Sequence, residues 1–128
     1  MPISAVETDA APAAIGPYAQ AVRAGDTLYC SGQIALDKET GELISGGIEE
    51  QTRQVMQNLQ QILAAAGCGF EAVVKMTIYL ADMADFSRVN QVYGEFLAPP
   101  APARAAVQVA ALPKNARIEI DAVAYLGS

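Results

Sequence analysis

Two charged side chains in the last quarter of the chain, Arg104 and Glu119, could do chemistry together. From Phe96 to Pro113, Arg104 is the only charged residue. Because an unpaired buried charge is costly, a guanidinium in so apolar a segment must pair with a carboxylate or face a cavity where an anion docks. Arginine binds a carboxylate through two parallel N–H bonds, and Glu119 could accept a proton from water or steer water toward an electrophilic carbon.

A structural ion pair is the alternative interpretation of Arg104. Ile118 and Ile120 are predicted to point to one face of a strand, so Glu119 and Asp121 point to the other. Either carboxylate could form a salt bridge with Arg104 that only ties strands together, since buried charges usually occur in pairs. The residues themselves favour neither interpretation.

The segment that carries both residues, 102–125, is predicted as two strands, because β-branched residues alternate with small or polar ones in both arms. Residues 112–115 supply a turn between the arms. Pairing across that turn places Arg104 opposite the region around Ala124, and not opposite Glu119. If Arg104 and Glu119 share a site, they are expected to meet between subunits.

Four other polar or flexible positions could support anion binding. The hydroxyls of Tyr18 and Ser31 are candidates, although such hydroxyls more often bond to nearby backbone. Gly32 inside a strand pattern predicts a bulge or a close backbone approach, with a simple bend as an equal alternative. Asn90 lies on the apolar stripe of a predicted helix, where its amide needs partners that backbone groups could supply.

The elements that must position these residues are predicted in the order strands, helix, strand, helix, strands. A short edge strand is expected in residues 1–12, and further strands at 19–23, 27–31, 33–36 and 74–80. The helices are predicted at 48–66, closed by Gly67, and from about Asp85, as N-cap, to Leu97, before Pro99-Pro100. We therefore predict one α+β domain over residues 1–128, in which one mixed sheet carries both helices on one face.

Composition limits the classes of partner. Only 17% of the 128 residues are charged and 52% are hydrophobic, so part of the surface is expected to be covered by copies of the same chain. The net charge is −6, and the eight basic residues are scattered along the chain. Nucleic-acid affinity depends mainly on clustered lysine and arginine, so no nucleic-acid partner is expected.

The absence of histidine excludes other chemistry. The chain has none, which removes Ser-His-Asp and Cys-His catalysis in their usual form. Cys30 and Cys68 alone cannot fill the common zinc ligand sets, so no metal site is predicted, and both thiols are expected to be reduced and structural. No export signal or membrane span is recognisable, and a cytoplasmic protein is expected.

Several separate motifs resemble the reactive intermediate deaminase family, known as Rid or YjgF. The resemblance extends in order from Pro12 to Tyr125 with spacing typical of the family. The segments that carry it are Ile15-Gly16-Pro17-Tyr18-Ala19-Gln20, Cys30-Ser31-Gly32-Gln33-Ile34, Tyr79 through Tyr93, Pro102-Ala103-Arg104, and Ile118-Glu119-Ile120-Asp121-Ala122-Val123-Ala124.

The resemblance implies a chorismate-mutase-like α+β fold and a homotrimer with substrate clefts between adjacent subunits. It also implies hydrolysis of short 2-enamino or 2-imino acids to the 2-keto acid and ammonia, without a metal or cofactor. By position, Arg104 is similar to the family's carboxylate-binding arginine and Glu119 to its water-orienting glutamate. The residues that match the family's cleft lining are Tyr18, Ser31, Gly32 and Asn90.

Ala106 is a departure from the family pattern within the same predicted cleft. Many members carry a cysteine two places after the arginine, whereas this chain has Ala106. Redox or covalent regulation through that position therefore lacks its usual target. The deaminase reaction itself needs no thiol, because an imine carbon is already electrophilic and an anchored carboxylate with a positioned water could suffice.

Two other functions compete with deamination. The first is a non-catalytic module that binds small carboxylates such as 2-ketobutyrate in the same cleft. The second is a ribonuclease or translation inhibitor, a role attached to some members of the family. The acidic, histidine-free sequence argues against the nuclease.

Overall fold

A computed structural model of the chain describes residues 2–127 as a six-stranded sheet with two α-helices. The strands are β1 (Ile3–Val6), β2 (Ala21–Ala24), β3 (Thr27–Gln33), β4 (Val73–Leu80), β5 (Ala103–Gln108) and β6 (Ile118–Tyr125). The helices are α1 (Ile48–Ala65) and α2 (Phe86–Glu95). The order of strands in the sheet is β1-β2-β3-β6-β4-β5.

The sheet is mixed, because β4 and β5 run parallel while every other neighbouring pair is antiparallel. Helix α2 returns the chain between the two parallel strands, as a crossover connection requires. Helix α1 packs against β3, β6 and α2, so both helices cover the same face. The predicted α+β class, one mixed sheet with two helices on one face, is confirmed.

Strict alternation in β6 separates the covered face from the open face. Ile118, Ile120 and Ala124 are fully buried within the hydrophobic core, whereas Glu119 and Asp121 are half-buried on the opposite face. This alternation was predicted, and it places the carboxylate of Glu119 on the side of the sheet that no helix covers.

The predicted pairing of the last two strands is wrong. Strand β4 lies between β5 and β6, so these two strands do not form a hairpin. Arg104 pairs with Met76 of β4, and Ala124 pairs with Val73 and Leu28. The turn predicted at 112–115 is present, but β5 pairs in parallel with β4 and not with β6. The chain after β5 therefore crosses over β4, and β6 lies between β3 and β4 in the sheet.

The predicted break after Gly32 also differs from the structure. Strand β3 continues through Gly32 to Gln33, with a register irregularity against β6 between Cys30 and Gln33. Residues 34–36 are not part of a strand, although Leu36 forms an isolated bridge to Leu43. The bulge predicted for Gly32 is confirmed, and the strand ends at Gln33.

Asp85 lies at the start of α2 as predicted, but its side chain does not cap the helix. It accepts hydrogen bonds from Arg117 at 2.9 and 3.0 Å and from Arg88 at 2.9 Å, and its own exposure is only 3%. Asp82 instead caps the short turn before the helix by accepting from the backbone N–H of Ala84. The buried carboxylate thus ties the first turn of α2 to the residue that precedes β6.

Candidate active site

The candidate site residues fall into two separate groups, here named half-sites. Arg104, on the edge strand β5, forms the centre of the first. Its strand partner Met76 is fully buried, so the side chain of Arg104 leaves the sheet on the face that the helices cover. There Nη1 donates a hydrogen bond of 2.6 Å to Oδ1 of Asn90. The Cζ atom lies 5.2 Å from the ring centroid of Phe86 and 5.3 Å from that of Tyr93. An open groove of about 530 Å³ runs beside the guanidinium.

No carboxylate neutralises Arg104 within residues 2–127. The other arginines each form an ion pair, namely Arg23 with Asp26, Arg53 with Glu95, and Arg88 and Arg117 with Asp85. The structural salt bridge from Arg104 to Glu119 or Asp121 is therefore not formed in the chain. A guanidinium held by a neutral amide and two rings keeps its full charge and its remaining donors for an anion.

Glu119 belongs to a second half-site on the open face of the sheet. It lines a pocket of about 600 Å³ together with Tyr18 and Gly32. The other walls of this pocket include segments 12–15 and 38–41 and Lys114. The structure thus brings Glu119, Tyr18 and the β3 residue Gly32 to one cavity.

Gly32 allows the carboxylate of Glu119 to lie directly against the backbone of β3. A methyl group added to Gly32 would overlap Oε2 of Glu119 and would lie 2.8 Å from its Cδ. The close approach predicted for this glycine is therefore present. Burial raises the pKa of Glu119, and the charge of Asp121 raises it further. Such a carboxylate exchanges a proton more readily near neutral pH than an exposed one does.

The hydroxyl of Ser31 has a structural role in this conformation. Its Oγ donates to the carbonyl of Ala19 at 2.6 Å, and its backbone N–H donates to the carbonyl of Gln20. The buried amide of Gln20 in turn donates to the carbonyl of Pro12 at 2.7 Å. These bonds hold the segment that forms one wall of the Glu119 pocket. Tyr18, by contrast, is 53% exposed and faces the pocket.

The two half-sites lie on opposite faces of the sheet. Arg104 shares the covered face with its partner Met76, whereas Glu119 pairs with Tyr79 on the open face. Ala106 pairs with the buried Ile78 and packs against the core on the side of Arg104. The chain therefore brings Arg104 to Asn90, and Glu119 to Gly32 and Tyr18, but it does not bring the two groups to each other.

Phe86 and Tyr93 contact Arg104 through their rings, although their helical stripe predicts only core positions. Both rings lie on the same helical stripe as Asn90, at spacings of four and three residues. This spacing is the feature of the sequence that could indicate the contact with Arg104, because an arginine on the following strand can stack on aligned aromatic faces.

The cysteines offer no reactive thiol to this site. Cys30 and Cys68 are both free, and burial raises the pKa of the Cys30 thiol to about 12. Burial also raises the pKa of Cys68. Residues 2–127 contain no cluster of carboxylate, histidine or cysteine side chains suited to a metal ion. None of the helices in this range is long and apolar enough to cross a membrane.

The fold and the sequence motifs are those of a known family. The chain belongs to the reactive intermediate deaminase (Rid/YjgF) family, whose model, described as endoribonuclease L-PSP, matches residues 8–126. The resemblance read from the sequence is thereby confirmed. The chorismate-mutase-like fold that it implied is shared with solved structures of Rid and L-PSP proteins.

Individual relatives are similar over nearly the whole chain. A human 2-iminobutanoate/2-iminopropanoate deaminase is 53% identical over 122 residues, which are 95% of this chain and 89% of the human protein. The crystal structure of RidA from an Antarctic Psychrobacter matches with a TM-score of 0.92 at 48% identity, covering 95% of this chain and 98% of that one. Escherichia coli TdcF with bound serine matches with a TM-score of 0.90 at 39% identity, covering 97% and 99%.

Proposed function

We propose that this protein is a 2-iminobutanoate/2-iminopropanoate deaminase, which hydrolyses short 2-imino acids and their 2-enamino tautomers, such as 2-aminoacrylate, to 2-keto acids and ammonia. The relatives with that name are about half identical over 95% of the chain. The observation that carries the proposal is the charge of Arg104, which contacts a neutral amide and two rings and has no carboxylate partner among residues 2–127. A small carboxylate is the ligand that such a group recognises.

Arg104 would bind the substrate carboxylate and so fix the adjacent imine carbon. The oxygen of a water molecule adds to that carbon, a C–O bond forms, and the electron pair of the C=N bond moves to nitrogen, which takes up a proton. The resulting carbinolamine loses ammonia as its C–N bond breaks and its hydroxyl proton leaves. Holding the carbon in place converts an encounter with water into a step within one complex.

Glu119 would carry the protons in this sequence. Its carboxylate accepts a proton from the attacking water and passes it to the imine nitrogen, and it then accepts the hydroxyl proton of the carbinolamine and passes that to the departing nitrogen, so the net reaction consumes only water. The raised pKa of Glu119 supports both directions of transfer. Tyr18 lines the same pocket, with Gly32 as the backbone contact of the carboxylate.

A complete site needs a second copy of the chain, and we propose the homotrimer that the family resemblance implies. Glu119 lies on the open face, which also exposes Ile3, Tyr29, Val107 and Tyr125 at 71, 53, 42 and 53%. Apolar surface of this kind is suited to burial between copies. Light scattering is expected to give three times the mass of the chain, and a fully active monomer would contradict the proposal.

A coupled assay tests the activity itself. A pyridoxal-phosphate-dependent dehydratase acting on threonine or serine supplies the imino acid, and the release of 2-keto acid and ammonia is followed with and without this protein. We expect faster release in its presence, because the positioned carbon no longer depends on chance attack by water. Identical rates with and without the protein would refute the deaminase.

A carboxylate-binding module is the second candidate, and the bound serine in Escherichia coli TdcF favours it. Calorimetric binding of 2-ketobutyrate by a protein that is inactive in the coupled assay would select this candidate. The nuclease named in the family description has less support here, because the net charge is −6 and the basic residues are scattered. A cytoplasmic location belongs to the deaminase proposal and is testable by cell fractionation.

A further inference from the structure

We infer that Phe86 and Tyr93 are positioning residues of the candidate site, which together with Asn90 hold the Arg104 guanidinium ready for a carboxylate without neutralising it. These three residues of α2 form the α2 cradle. The inference rests on the proposed function, since it assigns a role to the residues around the proposed carboxylate-binding group.

The cradle contacts Arg104 in two chemically different ways. Asn90 accepts a hydrogen bond from Nη1 at 2.6 Å, and the rings of Phe86 and Tyr93 lie 5.2 and 5.3 Å from Cζ. Both ring distances are within the range of about 6 Å for a cation–π contact. An exposed arginine otherwise samples many rotamers, and these contacts favour the one observed.

Neutral partners leave the binding capacity of the guanidinium intact. Aromatic faces attract a cation but accept few of its N–H bonds, and the amide of Asn90 accepts only one of five. Arg117 provides the contrast within the same chain, because the carboxylate of Asp85 both holds and neutralises it. The cradle is therefore suited to a residue that must receive an anion, whereas Asp85 is suited to a structural tie.

The cradle is itself fixed to the core. The hydroxyl of Tyr93 donates to Sδ of Met76 at 3.4 Å, and Met76 is the strand partner of Arg104. Tyr93 is only 5% exposed, and the Asp85–Arg117 ion pair anchors the helix turn at Phe86. The arginine, its rings and the strand beneath them are thus connected by direct contacts, which helps to position a bound carboxylate.

Replacing Phe86 by leucine tests the inference with kinetics. Leucine keeps apolar volume but has no ring quadrupole, so the guanidinium is expected to lose part of its restraint. We expect KM for the imino acid to rise about threefold to thirtyfold, with kcat changed less than about twofold. Phe86→Tyr keeps the ring and is expected to leave KM near the value of the intact protein.

Phe70→Leu is the matched control. The Phe70 ring packs edge-on against Phe96, with centroids 6.0 Å apart, and makes no ring contact with Arg104. An equal rise in KM for Phe70→Leu and Phe86→Leu would assign the effect to general packing and overturn the inference. An unchanged KM in a folded Phe86→Leu variant would overturn it as well.

Binding of 2-ketobutyrate separates this inference from the deaminase proposal. In calorimetry, Phe86→Leu is expected to weaken binding about threefold to thirtyfold in the intact background and to have no further effect in an Arg104→Ala background. A Phe86 effect that persists in full without Arg104 would refute the cradle. Phe86-dependent binding by a protein inactive in the coupled assay would refute deamination and leave the cradle supported.

Discussion

Replacing Arg104 by alanine is expected to lower kcat/KM for 2-iminobutanoate by about a hundredfold or more while the fold survives. A charge-assisted hydrogen bond contributes about 1.5–3 kcal/mol, and a bidentate carboxylate contact contains two of them. The substrate would also lose the orientation of its reacting carbon, for which misplacement by about 1 Å can cost a hundredfold. Steady-state kinetics in the coupled assay measures the loss.

The fold should tolerate this change because Arg104 is exposed at an edge strand and forms no ion pair with residues 2–127. Arg23→Ala is the matched control, since Arg23 is also exposed on a strand but pairs with Asp26 at 3.7 Å, away from both half-sites. Arg104→Lys should be intermediate, because lysine keeps the charge and loses the planar fork. Full activity of Arg104→Ala would remove the proposed role of this residue.

Replacing Gly32 by alanine is expected to lower kcat by about 10²-fold with little effect on stability. The new methyl group would overlap the carboxylate of Glu119, which must move because the backbone cannot. The group that moves is the end of a flexible side chain, so the free energy of unfolding should change little. A general acid or base contributes about 10²–10⁴-fold to a rate, and a displaced one contributes far less.

A double-mutant cycle identifies Glu119 as the route of this effect. In a Glu119→Gln background, Gly32→Ala should cost little more, because the carboxylate that it displaces is already absent. Gly47→Ala is the control, since a methyl group there meets Glu50 and Arg117 at ordinary distances of 3.5 and 3.8 Å. Equal losses from Gly32→Ala with and without the Glu119 carboxylate would contradict the proposed contact.

Much of this site could be predicted from local patterns in the sequence. The alternation around Glu119 determined which face of the sheet it occupies, because the apolar neighbours Ile118 and Ile120 must be buried. Gly32 interrupted a strand pattern, and the structure has both a bulge and a close contact there. The predicted hairpin also kept Arg104 apart from Glu119. The two residues are apart in the structure, although the hairpin itself is not formed.

What could not be predicted depends on contacts between distant segments. The hairpin prediction failed because the pairing of β5 with β4 is a consequence of the α2 crossover, and no local turn signal encodes it. Asp85 has the local pattern of a helix cap, but the Arg117 that binds it is 32 residues away in the sequence. The aromatic contacts of Arg104 were missed for the same reason, since apolar residues on a helical stripe predict a core in any case.

The placement of Arg104 and Glu119 on opposite faces of one sheet has a consequence for substrate size. In the proposed assembly each cleft combines the guanidinium of one protomer with the carboxylate of its neighbour. The distance between the bound substrate carboxylate and the attacking water is then determined by how the protomers pack together, and not by the width of either cavity. Discrimination between a three-carbon and a four-carbon imine would be a quaternary property, sensitive to substitutions far from both charged groups.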